Sequence, residues 1–520
     1  MRVCDYVVDY LVNKGVRHVF GIVGGACAFM VDAISRRKGE IEFICFQHEQ
    51  AAAMAAEAYA RVTKNIGVTM VTSGPGATNL ITGTCCAWFD SIPVLNISGQ
   101  VNTWESTSSP HCERVRQVGF QETDIISMVR GITKYASAVV DAQDIRQKLD
   151  LAFYCAFEGR PGPVWLDIPM DVQKAEINPQ KLASYSLWKR DSSIVSAEHC
   201  KEVDEKIPVM TELMNKACRP LIIMGGGVRI ADQVKEARRF IEQVKFPVVT
   251  SWSGFGIIPH DHSLYIGPFG VYGHRAANFA IQDSDLLIVL GSRLDTRQTG
   301  GNRSIFAPKA KKVVIDVDYH ELHKGRGMNI DLSINADMRN FFSHWQADYK
   351  DKSFDDVHIP QWVETTKKWK DEYPICSPEY YKERGYVNPY VFMKVLSKVA
   401  PNDAVIVTDC GGNLTWTMQG FEPKADQYVF SAMGNSPMGY SMAAAVGASI
   451  ALGGRPVICI IGDGGMQVNI QELQTIAHYK LPLKIFLLNS RSYAIIVNFQ
   501  DEVFGGNHCA VTKETGYSCP

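Results

Sequence analysis

The 520-residue chain is 46% hydrophobic and 21% charged, the composition of a soluble globular protein with length for about three domains. Its 53 basic and 55 acidic side chains leave a formal charge of −2, which gives no reason to expect nucleic acid or an anionic membrane as a partner. No apolar run reaches the length of a membrane span, and Arg2 and Asp5 interrupt any signal-peptide core, so a cytoplasmic protein is expected.

Residues 3 to 14 carry helical apolar spacing (Val3, Tyr6, Val7, Tyr10, Leu11), with Gly15 as the stop. A short strand, Val16 to Phe20, meets the loop Gly21 to Ala26. That loop is either a plain tight turn or a place where a ligand approaches the backbone at Gly24 and Gly25. The strand Ile41 to Phe46 is followed by His48-Glu49-Gln50 and a helix of alanine and methionine. Small side chains allow close helix packing, so Glu49 is expected to be partly buried, as a helix N-terminal charge or as a working acid/base. Glu57 and Arg61, at i,i+4, read as a solvated pair. The loop Thr72 to Asn79, with Ser73 and Gly74 at its turn, lies between the strand Gly67 to Val71 and another helix. The strand Val94 to Ser98 comes next, and the turn around Arg160 sets off a last strand, Val164 to Ile168. Repeated strand, Gly-rich loop and helix predict a doubly wound parallel sheet.

Residues 172 to 190 read as a polar linker. Beyond it, the strand Pro220 to Met224 runs into Gly225-Gly226-Gly227, a nucleotide-type turn. The strand Leu286 to Leu290 runs into Gly291-Ser292-Arg293-Leu294-Asp295-Thr296-Arg297, whose two arginines suit a diphosphate or form a surface ion-pair cluster. Lys367 to Glu372 reads as a solvated helix face and linker. In the last third, the strand Ala404 to Thr408 ends in Asp409-Cys410-Gly411-Gly412-Asn413, and Gly434 to Gly439 introduces an Ala/Gly-rich helix. A buried strand, Pro456 to Ile461, then breaks at Gly462-Asp463-Gly464-Gly465, continues as a helix from Gln467 to Tyr479 and enters a second buried strand, Leu483 to Leu488. Loops after parallel strands share one sheet edge, so Asp463 and Asn489-Ser490 are expected to converge. Oxygen ligands beside glycines suit Mg²⁺ carrying phosphate; the bland reading is an ordinary Gly-Asp turn. Fourteen cysteines include no Cys-x-x-Cys pair, and Cys45, Cys85, Cys86 and Cys459 sit in apolar runs, so they read as reduced core residues. The expected fold class is α/β, with three doubly wound parallel-sheet domains over 1–172, 190–345 and 375–520.

Taken together, these loops resemble thiamine-diphosphate-dependent enzymes, specifically the acetolactate synthase catalytic subunits, over nearly the whole chain and in family order. His48-Glu49-Gln50 is similar to the activating glutamate, Thr72 to Asn79 to the signature loop, and Gly119-Phe120-Gln121-Glu122 to the substrate-side segment. Gly462-Asp463-Gly464 with Asn489-Ser490 is similar to the diphosphate and metal motif. The resemblance implies pyrimidine-binding, central flavin-type and diphosphate-binding domains, with thiamine diphosphate and Mg²⁺ as cofactors. It implies decarboxylation of a 2-oxo acid such as pyruvate and joining of the remaining carbon unit to a second carbonyl. Glu49, Phe120 and Gln121 would stand at the reacting centre. Gly24, Gly25, Ser73, Gly74, Gly411, Gly412, Asn413, Met438, Gly462, Gly464 and Gly465 would surround the cofactor, and Asp463, Asn489 and Ser490 would hold the metal. Gly225, Gly226, Gly227, Gly291, Arg293, Asp295, Arg297, Asp316 and Asp337 fall where that group contacts FAD, although related enzymes keep this domain without flavin, and Arg160 is a further cofactor-binding candidate. The resemblance also implies a homodimer or homotetramer, because in the family the glutamate and the metal motif come from different subunits.

Three positions depart from the family pattern. Ser490 stands for an asparagine, Met170 for a lysine and Asn413 for a histidine, which leaves the acceptor carbonyl open. Family members continue past the equivalent of Pro520, so the third domain is expected to be C-terminally incomplete. Alternatives on the same fold are a simple 2-oxo-acid decarboxylase or a flavin oxidase. A non-catalytic cofactor-binding homologue is the reading from another class, and Glu49 argues against it.

Overall fold

Apolar runs that precede glycine-rich turns become parallel strands here, because a strand covered on both faces needs apolar side chains on both and a helix to return the chain. The computed structural model describes all residues except 110–111, 113–114, 186–196, 326, 355–357 and 519–520, with backbone only at 197–200. The first sheet contains β1 (His18–Gly21), β2 (Glu42–Cys45), β3 (Gly67–Val71), β4 (Val94–Gln100), β5 (Tyr135–Ala138) and β6 (Val164–Pro169), in the order β2-β1-β3-β4-β6-β5. The second contains β7 (Pro220–Met224), β8 (Val248–Thr250), β9 (Tyr265–Pro268), β10 (Leu286–Leu290), β11 (Lys311–Asp316) and β12 (Leu332–Asn335), in the order β12-β11-β10-β7-β8-β9. The third, of four strands, includes β13 (Val405–Thr408), β14 (Tyr428–Phe430), β15 (Ile458–Gly462) and β16 (Lys484–Leu488). Its β15 lies between β13 and β16, with Ile406 opposite Ile458 and Ile458 opposite Lys484.

The chain divides into two compact units. One comprises Met1–Arg190, Val405–Asn413 and Ser431–Pro520; the other comprises Asp191–Ala404 and Leu414–Phe430. Among the described residues no helix is long and apolar enough to cross a membrane.

Several expectations are corrected. The run after Asp463 is not one helix from Gln467: helix starts at Asp463 itself (Asp463–Val468), stops at Asn469 and resumes as Glu472–His478. The Asn469 amide donates to the Gly439 carbonyl (2.9 Å), which holds the break in place. The second strand of that unit, β16, is half-exposed instead of buried, because it lies at the sheet edge. Cys86 and Cys459 are buried free thiols, whereas Cys45 is exposed at the end of edge strand β2. Within 172–190, Ile177 and Leu182 pack into the first core, and the stretch from 186 onward lies outside the described residues. Lys367 to Glu372 ends the helix His358–Glu372, and Lys370 is drawn inward to the carbonyls of His260 and Tyr265.

The largest correction concerns the helix Glu49–Thr63. Its Ala51–Ala60 stretch is buried on every side. Three glycines make room for it: a methyl carbon on Gly67 would lie 2.0 Å from the Ala56 carbonyl oxygen, one on Gly83 2.3 Å from Ala53 Cβ, and one on Gly447 2.0 Å from the Ala55 carbonyl oxygen. Glu57, expected on a solvated face, is fully buried. It accepts from Arg61 Nε (2.7 Å) and from the Tyr440 hydroxyl (2.5 Å), while Arg61 Nη2 reaches Asp90 (2.6 Å). Burial pushes the Glu57 carboxyl up even with Arg61 beside it. Asp90 in turn accepts from the backbone amides of Met433 and Gly434, both at 2.8 Å. The i,i+4 spacing does make an ion pair, and the Ala/Gly-rich helix Tyr440–Ala451 covers it.

Substituting Gly447→Ala would force the helices Glu49–Thr63 and Tyr440–Ala451 apart, and overpacking of this kind costs about 1–3 kcal/mol. Urea unfolding of the variant should show that loss; parental stability would contradict the close approach.

Candidate functional site

In doubly wound sheets the ligand crevice forms at the carboxyl edge where strand order reverses. In the first sheet that point lies between β1 and β3, and in the second between β7 and β10. The loops that follow these strands touch each other. Ala26 N donates to Thr72 Oγ1 (3.2 Å), and a methyl carbon on Gly24 would lie 2.6 Å from Thr72 Cβ. In the second sheet Gly227 N donates to the Gly291 carbonyl (3.0 Å).

The first cluster gathers around Glu49. His48 caps the helix, its Nδ1 accepting from Gln50 N, and Glu49 is the first helical residue. Glu49 is half-buried; its Oε2 accepts from Asn79 Nδ2 (2.9 Å), and its Oε1 stands 3.6 Å from where a Cβ on Gly76 would lie. Gly74 (φ 58) presses on the Gln121 backbone: its Cβ would lie 2.8 Å from the Gln121 carbonyl oxygen. Gln121 itself is left-handed (φ 64), a strained conformation for a residue with a side chain, and Phe120 beside it is 85% exposed. The structure therefore brings Gly24, Glu49, Ser73, Gly74, Phe120 and Gln121 into one neighbourhood.

Gln100 and Asp167, which carry no motif signal, and Glu122 fix this segment. Gln100 Nε2 bridges the Thr123 carbonyl (2.9 Å) and Asp167 Oδ2 (3.0 Å). Asp167 also accepts from Ser98 Oγ, and burial pushes its carboxyl up to about 7. Glu122 accepts from the amides of Thr107 and Val118 and the hydroxyls of Ser106 and Thr107. Burial alone would raise its pKa, but these donors outweigh it and hold the carboxyl below its ordinary value.

The second cluster lies where β13 and β15 end. Asp463 is 4% exposed; its Oδ1 accepts from Gly464 N (3.1 Å) and Ser490 Oγ (3.4 Å), while its Oδ2 is buried without a hydrogen-bond partner. An orphaned buried carboxylate oxygen requires a partner. Beside it, a methyl carbon on Gly464 would lie 2.6 Å from the Tyr493 ring and 3.2 Å from Met438 Cε, and one on Gly465 2.3 Å from Asp409 Oδ2. Asp409 accepts from Gly439 N (2.9 Å) and Cys410 N (2.9 Å), and burial pushes its carboxyl up to about 7 against the pull of these donors. Gly411 (φ 77) makes the turn that follows. Asn413 is buried and turned into its own loop, accepting from Asp409 N and donating to the Cys410 carbonyl. Ser490 faces Asp463, whereas the Asn489 side chain is exposed and accepts from Arg491 N. Asp409 and Tyr493 carry no motif signal; only the strand-end position of Asp409 could have pointed to it.

In the other unit, Gly225, Gly291, Asp316 and Asp337 lie at or just past the carboxyl ends of neighbouring strands β7, β10, β11 and β12. A methyl carbon on Gly225 would lie 2.0 Å from the Gly291 carbonyl oxygen. Asp295 pairs with Arg293 (3.7 Å) and caps the short helix that begins at Thr296, and the Arg297 guanidinium lies over the Tyr272 ring (5.4 Å). Asp337 caps Met338–Asp348 and pairs with Arg339 (2.8 Å). Arg160, a cofactor-binding candidate from the sequence, lies in the first unit, where it donates to Ser91 Oγ (2.7 Å).

Among known proteins, residues 1–128 match the N-terminal TPP binding domain of thiamine pyrophosphate enzymes, 207–344 their central domain and 409–519 their C-terminal TPP binding domain. The chain is 34% identical over 514 residues to the acetolactate synthase isozyme 2 large subunit of Escherichia coli (strain K12), covering 98% of this chain and 87% of the relative. It is 33% identical over 510 residues to the acetolactate synthase large subunit of Pyropia yezoensis, covering 96% and 82%. The Lactococcus lactis subsp. lactis (strain IL1403) large subunit is 33% identical over 499 residues, with the same coverages.

The Glu122 clamp has a pH signature. A carboxylate held below the ordinary 4.5 contributes stability above that value and loses it only as pH falls through the lower, folded-state value. Hydrogen exchange should find the Thr107 and Val118 amides protected from neutral pH down past 4.5, and Glu122→Ala should expose them at neutral pH; equal protection in the variant would contradict the clamp.

Proposed function

The chain belongs to the thiamine pyrophosphate enzymes, in their acetolactate synthase large-subunit group, and from that membership we propose that it decarboxylates pyruvate and joins the remaining two-carbon unit to a second carbonyl. It is a thiamine-diphosphate-dependent carboligase. The observation that carries the site reading is the orphaned, buried Asp463 Oδ2 beside a glycine cradle.

The residues at that place fit a divalent cation carrying a diphosphate. Asp463 offers a carboxylate oxygen and Ser490 a hydroxyl, while Gly464 and Gly465 let Tyr493, Met438 and Asp409 pack close around that oxygen. Mg²⁺ satisfied by one carboxylate, a few neutral oxygens and phosphate is a usual arrangement, and no cluster of three or more His, Cys, Asp or Glu is present among the described residues to favour a softer metal. When bound, thiamine diphosphate supplies a nucleophilic ring carbon and a sink for the electrons released with CO₂.

The chain's own groups do the rest. Glu49, held by Asn79 at a helix start, would hold and move a proton on the aminopyrimidine ring. Met438, packed at Gly464, would support the cofactor's rings, and Gly411 with Gly412 would hold the diphosphate. Phe120 and Gln121 face the substrate, set by Gly74 on one side and the Gln100–Asp167 pair on the other. The reading includes FAD in the glycine-lined crevice of the second sheet, a homo-oligomer that combines the Glu49 cluster of one copy with the Asp463 cluster of another, three domains at 1–172, 190–345 and 375–520, and a cytoplasmic location. Exposed Trp104, Val118 and Phe120 beside the first cluster support the homo-oligomer.

Supplied with pyruvate, thiamine diphosphate and Mg²⁺, the protein should form acetolactate, identified by NMR; acetaldehyde alone, or no CO₂ from a panel of 2-oxo acids, would overturn the carboligase reading. Glu49→Gln should abolish exchange of the cofactor's C2 proton while cofactor binding persists.

A further inference from the structure

Glu472 is a fully buried carboxylate that neither the metal site nor the substrate segment uses. It opens the helix Glu472–His478, three residues after Asn469 ends the Asp463 helix. Its carboxylate points back to the segment immediately before Glu49. Oε1 and Oε2 accept from the Gln47 amide at 3.2 and 3.3 Å, the His48 amide also donates to it, and Thr475 Oγ1 holds Oε2 at 2.6 Å. At the C-cap of the same helix, the Tyr479 hydroxyl accepts from Cys45 N (2.9 Å). A third tie runs from Asn469 Nδ2 to Met54 Sδ in the Glu49 helix (3.7 Å).

Three backbone N–H groups, at residues 45, 47 and 48, thus take their partners from one short helix. Those donors would otherwise be left open, because β2 is an edge strand that ends at Cys45 and the helix amides start only at Glu49. The segment has no hydrophobic anchor of its own beyond Phe46. Phe46 N meets the Gly21 carbonyl (3.0 Å), and Glu472 and Tyr479 fix the amides on either side of it.

We propose that Glu472 is a positioning residue for Glu49: the helix that follows the Asp463 site holds the Cys45–His48 segment through Glu472, with Tyr479 as a second point, and so sets where the Glu49 carboxylate stands. The idea rests on the Glu49 role given above. It ties the diphosphate-binding half of a chain to the proton-handling glutamate of that same chain through a path of some ten residues, Asp463 to Glu472.

Glu472→Ala removes the acceptor, whereas Glu472→Gln keeps an acceptor oxygen for the two amides and a donor for Thr475. In the cofactor-free protein, amide hydrogen exchange at Gln47 and His48 should rise about tenfold or more in Glu472→Ala, the scale of one lost charge-assisted hydrogen bond, and return toward the parent in Glu472→Gln. In the loaded protein, exchange of the cofactor's C2 proton should fall by a similar factor in Glu472→Ala while cofactor and Mg²⁺ affinities stay at the parental level. Tyr479→Phe should open the Cys45 amide alone and slow C2-proton exchange less, and it carries the test with Glu472→Gln if Glu472→Ala does not fold. Parental amide exchange at Gln47 and His48 in Glu472→Ala, or C2-proton exchange that falls only in step with cofactor affinity, overturns the proposal. If Glu49→Gln leaves C2-proton exchange unchanged, the Glu49 role fails, and the amide result then stands as a structural tie with no bearing on the cofactor.

Discussion

Backbone-to-backbone packing of the Glu49 helix is the constraint on which the rest of the first unit depends. Ten consecutive residues of that helix, Ala51 to Ala60, are buried, and three glycines on three different elements (Gly67, Gly83 and Gly447) let its main chain approach closer than any side chain would allow. Dense interiors transmit displacement because they have no slack. The carboxylate at the helix start is therefore placed by contacts four to seven residues away along the helix, as much as by its own cap at His48. The buried chain Arg61–Glu57–Tyr440, with Asp90 on Arg61, pins the rotation of the helix within that socket, since buried charges tolerate only the geometry that pairs them. The same Asp90 receives the amides that begin the Met438 loop, so one buried network touches both the glutamate helix and the loop of the second cluster.

Chemistry then collects where the topology leaves room for it. The paired strand-end loops abut in each sheet: Ala26 on Thr72, Gly227 on Gly291, and Gly465 on Asp409. Left-handed residues that carry side chains fall in these places too. Gln121 sits in the substrate segment, Leu294 between Arg293 and Asp295, Ser436 just before Met438 and Arg491 just after Ser490. Such conformations persist only where surrounding contacts over-determine the backbone, as Gly74 does for Gln121.

How much of this was legible in the sequence follows from what each signal encodes. Apolar runs closed by glycine-rich turns marked β1, β3, β7, β10, β13 and β15, the strands whose loops build the sites, because burial on both faces leaves a continuous apolar stretch. The short β5 (Tyr135–Ala138), half-buried at the sheet edge, carried no such run. Glu57 and Arg61 looked like a surface pair because helical spacing records which residues are neighbours and says nothing about what stands opposite. Asp409, Asn469 and Glu472 were invisible for a related reason: each acts on a backbone group at least 30 residues away in sequence. Asn413, set at the cofactor by the family resemblance, directs its side chain into its own loop.

The most direct measurement is a crystal structure grown with thiamine diphosphate and Mg²⁺. The account predicts metal at about 2.1 Å from Asp463 Oδ2 with Ser490 in its coordination sphere, and a Glu49 carboxylate in hydrogen-bond contact with the aminopyrimidine ring. A diphosphate bound away from Gly464 and Gly465, or a Glu49 carboxylate still held by Asn79 with no contact to the ring, would contradict it.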